Sequence, residues 1–124
     1  MCIPPSSETR TDYTDKSRYA CPLAENWGDI NLYRPFKHAE LDGYFGKKGK
    51  KGHDGWHDFY KAHPRAAGIW TFSRPGYNRD HNEAVLYVAH SCGWLCGTGH
   101  LYFLARESSA SKWIVKNRLF LWIS

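Results

Sequence analysis

The segment that decides the fold is Ala-Val-Leu-Tyr-Val-Ala at residues 84–89, an almost unbroken apolar run. Turn-forming residues precede it at residues 78–82, which read Asn-Arg-Asp-His-Asn. A short apolar run bounded by turn residues is typical of a central strand that is covered on both faces. Residues 84–89 therefore predict a β-strand in the middle of a sheet.

Outward from this run, an alternation of period two predicts three more strands. One precedes it over residues 69–77, with Pro75 near its end, and two follow over residues 101–106 and 113–123. Residues 92–99 contain three glycines and favour a loop or a bulge. Four successive strands joined by short turns describe an antiparallel meander.

Helices are expected on the N-terminal side of these strands. Residues 38–45 have a patchy helical spacing that allows one short helix, and Asp54 is suited to be the N-cap of a second. In the second helix Trp56, Phe59 and Tyr60 fall on one face, and the His-Pro pair at residues 63–64 ends it. The fold class expected is α+β, with one or two helices packed on a four-stranded antiparallel meander sheet.

The length of 124 residues suits one hydrophobic core, and aromatic residues make up 16% of the chain. Prolines and polar residues predict an irregular N-terminal segment over residues 1–28. A single α+β domain is expected over residues 29–124, beginning with a short edge strand at residues 29–33.

Several short motifs follow one another along the chain: Gly55-Trp56, Phe59-Tyr60, His63-Pro64, Gly68-Ile69, Phe72-Ser73-Arg74, Gly76-Tyr77-Asn78, Ala84 to Val88, the Cys-Gly-x-x-Cys-Gly-x-Gly loop, Leu104, Trp113 and Trp122-Ile123-Ser124. Their order resembles a family of bacterial proteins without an assigned activity, also met as small reading frames in integron gene cassettes. The resemblance covers roughly residues 55–124 and departs from the family's pattern at Pro75 and Tyr77. It implies relatives for this chain and no active site.

The densest set of reactive side chains is His90, Cys92, Cys96 and His100. A zinc site is disfavoured because Cys-x3-Cys misses the usual two-residue spacing, so no metal is expected. A disulfide between Cys92 and Cys96 and two reduced, buried thiols are the alternatives. The count of four cysteines, which includes Cys2 and Cys21, leaves the redox state open.

Three hypotheses about function follow from these residues. The first is a non-catalytic binding or interaction domain, for which we expect a basic-aromatic face of Lys116, Arg118, Phe120 and Trp122 to contact a protein partner, a small ligand or a second copy in a homodimer. Arg74 is a further binding candidate, for a carboxylate or phosphate. The favoured alternative is a turn in which Ser73 and Asn78 hydrogen-bond the backbone and Arg74 pairs with an acid. The second is a small enzyme that uses Cys96, His90 or His100 in a cleft. Whether the chain is an enzyme stays open, and a protein without catalytic activity is favoured.

The third hypothesis is weak nucleic-acid binding through the lysine-rich loop at residues 47–51, near Tyr44 and Trp56. The net charge of +5 is modest, so this class is disfavoured. No cofactor is expected, and no apolar run approaches the ~20 residues that cross a bilayer. A cytoplasmic location is expected, with an exported protein that has lost its leader as the alternative.

Overall fold

The computed structural model describes residues 4–18, 34–46 and 53–124, and it confirms the α+β class. These ranges contain three helices and one antiparallel sheet. The chain divides into two compact units, residues 21–67 and the remainder. The elements are α1 (Ser7–Lys16), α2 (His38–Phe45), α3 (His53–Ala62), β1 (Ile69–Phe72), β2 (Gly76–Tyr77), β3 (Glu83–Gly93), β4 (Cys96–Ala105) and β5 (Ile114–Ile123).

The sheet has the order β1-β3-β4-β5, and β2 also pairs with β3. The strand predicted over residues 69–77 is broken, because β1 pairs with residues 88–91 and β2 with residues 84–85. Ser73 lies at the break, where its hydroxyl accepts a hydrogen bond from the Tyr87 backbone N–H at 2.8 Å. Pro75, which has no N–H to donate, completes the interruption.

Residues 92–99, predicted as a loop or a bulge, belong mostly to β3 and β4, and only Trp94 and Leu95 form the turn. The bulge is present as a register irregularity between Ser91 and Gly93. Gly97 and Gly99 make room for the ring of Trp122. A Cβ atom at Gly99 would come within 2.0 Å of the Trp122 ring, and one at Gly97 within 3.1 Å. Glycine is therefore required because the indole lies directly on the strand.

The irregular segment predicted over residues 1–28 is wrong for residues 7–16, which form α1. The Ser6 hydroxyl accepts from the Thr9 N–H at 3.3 Å and caps the helix. Asp12 then accepts from the Tyr77 N–H at 2.7 Å, which ties α1 to β2. Apolar periodicity does not predict this helix, because polar hydrogen bonds, rather than an apolar stripe, attach it to the sheet.

The unit of residues 21–67 is organised around Phe59, which is completely buried. The helix predicted over residues 38–45 is present as α2. The second predicted helix is present as α3, although Asp54 lies in its first turn instead of at the N-cap. The rings within 6.1 Å of the Phe59 ring belong to Phe36, Tyr44, Phe45, Trp56, Tyr60 and His63.

Several predicted features lie outside the described residues. They are the edge strand at residues 29–33, the lysine-rich loop at residues 47–51 and the thiols of Cys2 and Cys21. The grouping of residues 29–124 into one domain stays a prediction. None of the helices in the described ranges has the length and apolar character that crossing a bilayer requires.

Candidate interaction surface

Strand β5 is the last strand of the sheet in the described part of the chain, and it pairs with β4 through two irregularities of register. Phe120 lies opposite His100, whereas Trp122 lies opposite the adjacent Gly99, so Leu121 is an extra residue. In the same way Lys116 is extra between Val115 and Asn117. Each extra residue is a β-bulge, and each bulge reverses the alternation of side chains along the strand.

The predicted basic-aromatic face is therefore divided. Arg118 and Phe120 stay together on the face that carries Tyr102 and His100, their partners on β4. Trp122 points to the opposite face, where its ring covers Gly99 and its Nε1 donates to the Tyr87 hydroxyl at 2.7 Å. A strict period of two, on which the prediction depended, cannot show a bulge.

The apolar side chains of β5 are exposed on both faces of the sheet. Leu119 is 56% exposed on the Trp122 face, and Phe120 is 53% exposed on the Arg118 face. The exposed large apolar residues of this strand have exposed fractions of 46% to 69%. They are Ile114, Val115, Leu119, Phe120, Leu121 and Ile123. A long, apolar edge strand is a surface on which another strand can pair.

Within the described ranges no strand pairs with the outer edge of β5, and one backbone N–H group on that edge is bonded by a side chain. The backbone N–H of Arg118 donates to Oδ1 of Asn117, its neighbour in the chain, at 2.8 Å. In an antiparallel strand the N–H groups point alternately to the two sides, so this N–H and that of Phe120 face away from β4. The Asn117 amide thus occupies the place that a neighbouring strand's carbonyl would take.

Sequence reasoning missed Asn117 and Leu119 as members of this surface. Asn117 reads as an ordinary polar residue on a strand, and Leu119 as a core residue of the opposite face. Only the position of β5 at the sheet edge gives these residues their importance, and strand order is not written in a local pattern.

The disulfide alternative is present in the structure, between Cys92 near the end of β3 and Cys96 at the start of β4. Their Cα atoms are 5.1 Å apart. While this bond is intact, neither sulfur can act as a thiolate. A Cys96 nucleophile would need the reduced form, and it stays a prediction. Within the described residues no group of three or more His, Cys, Asp or Glu side chains could hold a metal ion.

The two candidate histidines lie on the Arg118 face and pack against rings. His90 stacks on Trp70 with ring centroids 4.3 Å apart, and His100 meets Phe120 edge-on at 5.4 Å. Their strands place them diagonally, because His90 pairs with Thr98 and His100 with Val88.

Arg74 is exposed in the break between β1 and β2. Its charge, together with that of Lys16, favours the ionised form of Asp12. A hydrogen bond from Lys16 is the main reason that the pKa of Asp12 lies below its usual value, and the Tyr77 N–H adds to it. The turn that follows is held by Asn78, whose Oδ1 accepts from the N–H groups of Asn82 and Glu83 at 3.0 Å, which confirms a structural role for this side chain.

Open concavities accompany α1, where they are lined mainly by Glu8, Asp12 and Asp15 with Lys16 and Tyr77. None of the candidate histidines, cysteines or β5 residues lines them. The concavities therefore do not join the surface described above.

No protein-family model, curated protein or solved structure matches this chain. The resemblance to the integron-cassette family stays an expectation, and function has to be argued from the surface itself.

Proposed function

We propose that this chain is a protein-interaction domain that binds an extended polypeptide segment along the edge of β5. The supporting observation is the exposure of large apolar side chains on both faces of this edge strand. A partner that docked on one face of the sheet would leave the apolar side chains on the other face exposed to water. A strand added beside β5 brings its own side chains next to both sets at once.

Backbone chemistry favours the same type of partner. The edge N–H of Arg118 is held by Asn117, which a neighbouring carbonyl can replace. Main-chain hydrogen bonds of this kind give affinity to strand addition, and the alternating side chains give specificity. Lys116 and Arg118 are the charged residues of β5, so an added strand that carries acidic or aromatic residues at the facing positions is preferred.

Binding of labelled ten-residue peptides tests this function. The peptides alternate apolar and polar residues, are unrelated in sequence to β5, and are titrated by fluorescence anisotropy. We expect a subset to bind, and Arg118→Pro to weaken that binding at least about tenfold because it removes an edge N–H that faces the peptide.

Ser109→Pro, in the exposed turn before β5, is the matched control and should bind like the parent. Thermal unfolding of both variants shows that the sheet is intact. The proposal fails if neither a peptide nor a second copy of the chain pairs with β5. It also fails if the Arg118→Pro variant folds and binds the peptides as tightly as the parent.

A further inference from the structure

We infer that the strand that pairs with β5 is β5 of a second copy of this chain, in an antiparallel register centred on Leu119. This inference rests on the proposed function, since it identifies the partner of the same edge. It depends on three independent features of β5: the positions of its two cations, the positions of its two bulges, and the direction of its edge N–H groups.

A two-fold axis perpendicular to the sheet relates two identical antiparallel strands, and it places one residue opposite its own copy. Each other residue then faces the one equally far on the opposite side of the centre. Like charges directly opposite one another destabilise a pair. A centre at Asn117 sets Lys116 against Arg118 of the second copy, and a centre at Arg118 sets that residue against itself, so both centres are disfavoured.

A centre at Leu119 separates the cations and gives Arg118 an aromatic neighbour. Arg118 then faces Phe120 of the second copy, and Lys116 faces Trp122 of the second copy. A cation beside an aromatic ring is stabilised by the ring's negative face. Val115 faces Ile123 of the second copy, so apolar residues pair at both ends.

The bulges discriminate against the next register. Residues directly opposite must point to the same face of the sheet. With Leu119 at the centre, Arg118 and Phe120 share one face, as do Val115 and Ile123. A centre at Phe120 instead sets Arg118 against Trp122, which point to opposite faces because the Leu121 bulge lies between them.

The backbone agrees with the centre at Leu119. The N–H groups of Arg118 and Phe120 face the free edge, so these two residues exchange hydrogen bonds with Phe120 and Arg118 of the second copy. Leu119 then forms the central pair without hydrogen bonds, in which the two side chains are closest. Asn117 releases the Arg118 N–H when the second strand arrives.

Edge pairing of two ten-residue strands buries less than the roughly 1,200 Å² of stable complexes, so the dimer is expected to be weak and concentration-dependent. Sedimentation equilibrium over a concentration series measures it. Leu119→Lys places two ammonium groups opposite each other on the axis and should leave only monomer. Leu95→Lys, at an exposed leucine in the β3–β4 turn, is the matched control and should dimerise like the parent.

Single cysteines test the register, in a background where Cys2 and Cys21 are Ser. Opposite residues in such a pair have Cα atoms about 4.5 Å apart, which suits a disulfide. Under a glutathione buffer Leu119→Cys should therefore form covalent dimers, and Arg118→Cys and Phe120→Cys should not. Preferential cross-linking at either of these two positions would overturn the register.

The outcomes separate this inference from the proposed function. A chain that stays monomeric at every concentration, yet binds the unrelated peptides, overturns the second copy as partner and keeps strand addition. A chain that does neither overturns both. Dimers that persist in Leu119→Lys use another surface and also overturn the inference.

Discussion

The Trp122 indole N–H donates to the Tyr87 hydroxyl at 2.7 Å, across the intervening strand β4. Tyr87→Phe removes the acceptor and leaves the half-buried N–H without this partner. We expect a loss of about 1 kcal/mol in the free energy of unfolding, measured by urea denaturation. Trp122→Phe, which removes the donor and part of the ring, should cost more, and in that background Tyr87→Phe should have almost no further effect.

Gly99 is the second support of the same indole. A Cβ at this position would lie 2.0 Å from Trp122 Nε1, so Gly99→Ala must displace the ring and break its bond to Tyr87. We expect a destabilisation of about 1–3 kcal/mol and a red shift of tryptophan emission. Gly93→Ala is the control, because its Cβ would lie 3.5 Å from the nearest heavy atom outside its chain neighbours and should change stability by less than about 1 kcal/mol. Equal effects at the two glycines would contradict this account.

The position of Trp122 shows what the sequence could and could not predict. The four-strand pattern follows from apolar alternation, and the structure confirms it in outline, including β5 within one residue of its predicted start. The face on which Trp122 lies does not follow, because the bulge at Leu121 adds one residue without altering the composition of the strand. A one-residue insertion in the ladder exchanges the two faces beyond it.

Helix α1 is a second feature that could not be predicted from the sequence. An amphipathic analysis finds helices by their apolar stripe, and Trp56, Phe59 and Tyr60 revealed α3 in that way. Helix α1 has no such stripe, and its attachment depends on side chains distant in sequence, such as Glu83. Long-range polar contacts of this type leave no local periodic signal, and the same holds for the edge position of β5.

Phe59 is the completely buried ring at the centre of the aromatic cluster in residues 21–67. Phe59→Ala removes this ring and leaves a cavity, so we expect a loss of about 3–5 kcal/mol in the free energy of unfolding. Phe45→Ala changes a half-buried ring of the same cluster and should cost distinctly less. Thermal and urea unfolding, followed by tryptophan emission, measure both variants.

The Cys92–Cys96 disulfide closes a short hairpin loop. Loop-closure entropy over such a short separation predicts a contribution of about 2 kcal/mol to stability. Dithiothreitol should therefore lower the urea midpoint of the parent. The Cys92→Ser, Cys96→Ser double variant should already unfold near the reduced midpoint and should not respond to the reagent. A parent that is insensitive to reduction, although its thiols are shown to be free by mass spectrometry, would contradict the prediction.

Glu83 holds the start of α1 to the sheet, and this contact predicts a pH dependence. Its Oε2 accepts from the Thr9 hydroxyl at 2.8 Å and from the Ser6 N–H at 3.1 Å. Burial alone would raise the pKa of Glu83, but the hydrogen bonds from Ser6 and Thr9 outweigh it and hold the pKa below the ordinary value of 4.5. The ionised form is therefore favoured by folding.

A carboxyl group whose pKa is lower in the folded state stabilises the fold above its unfolded pKa, and this stabilisation is lost as the pH falls through the folded pKa. Thr9→Val removes the completely buried hydroxyl that donates to Glu83 at almost constant volume. We expect it to cost about 1–2 kcal/mol at pH 7 and less as the pH falls through the lowered pKa of Glu83, because protonation of the carboxyl weakens the hydrogen bond that this hydroxyl donates. Thr9→Ser keeps the hydroxyl and should retain the pH dependence of the parent. Urea denaturation of the three proteins from pH 3 to pH 7 measures the difference, and a Thr9→Val cost that is the same at both ends of the range would show that Glu83 does not hold the helix by its charge.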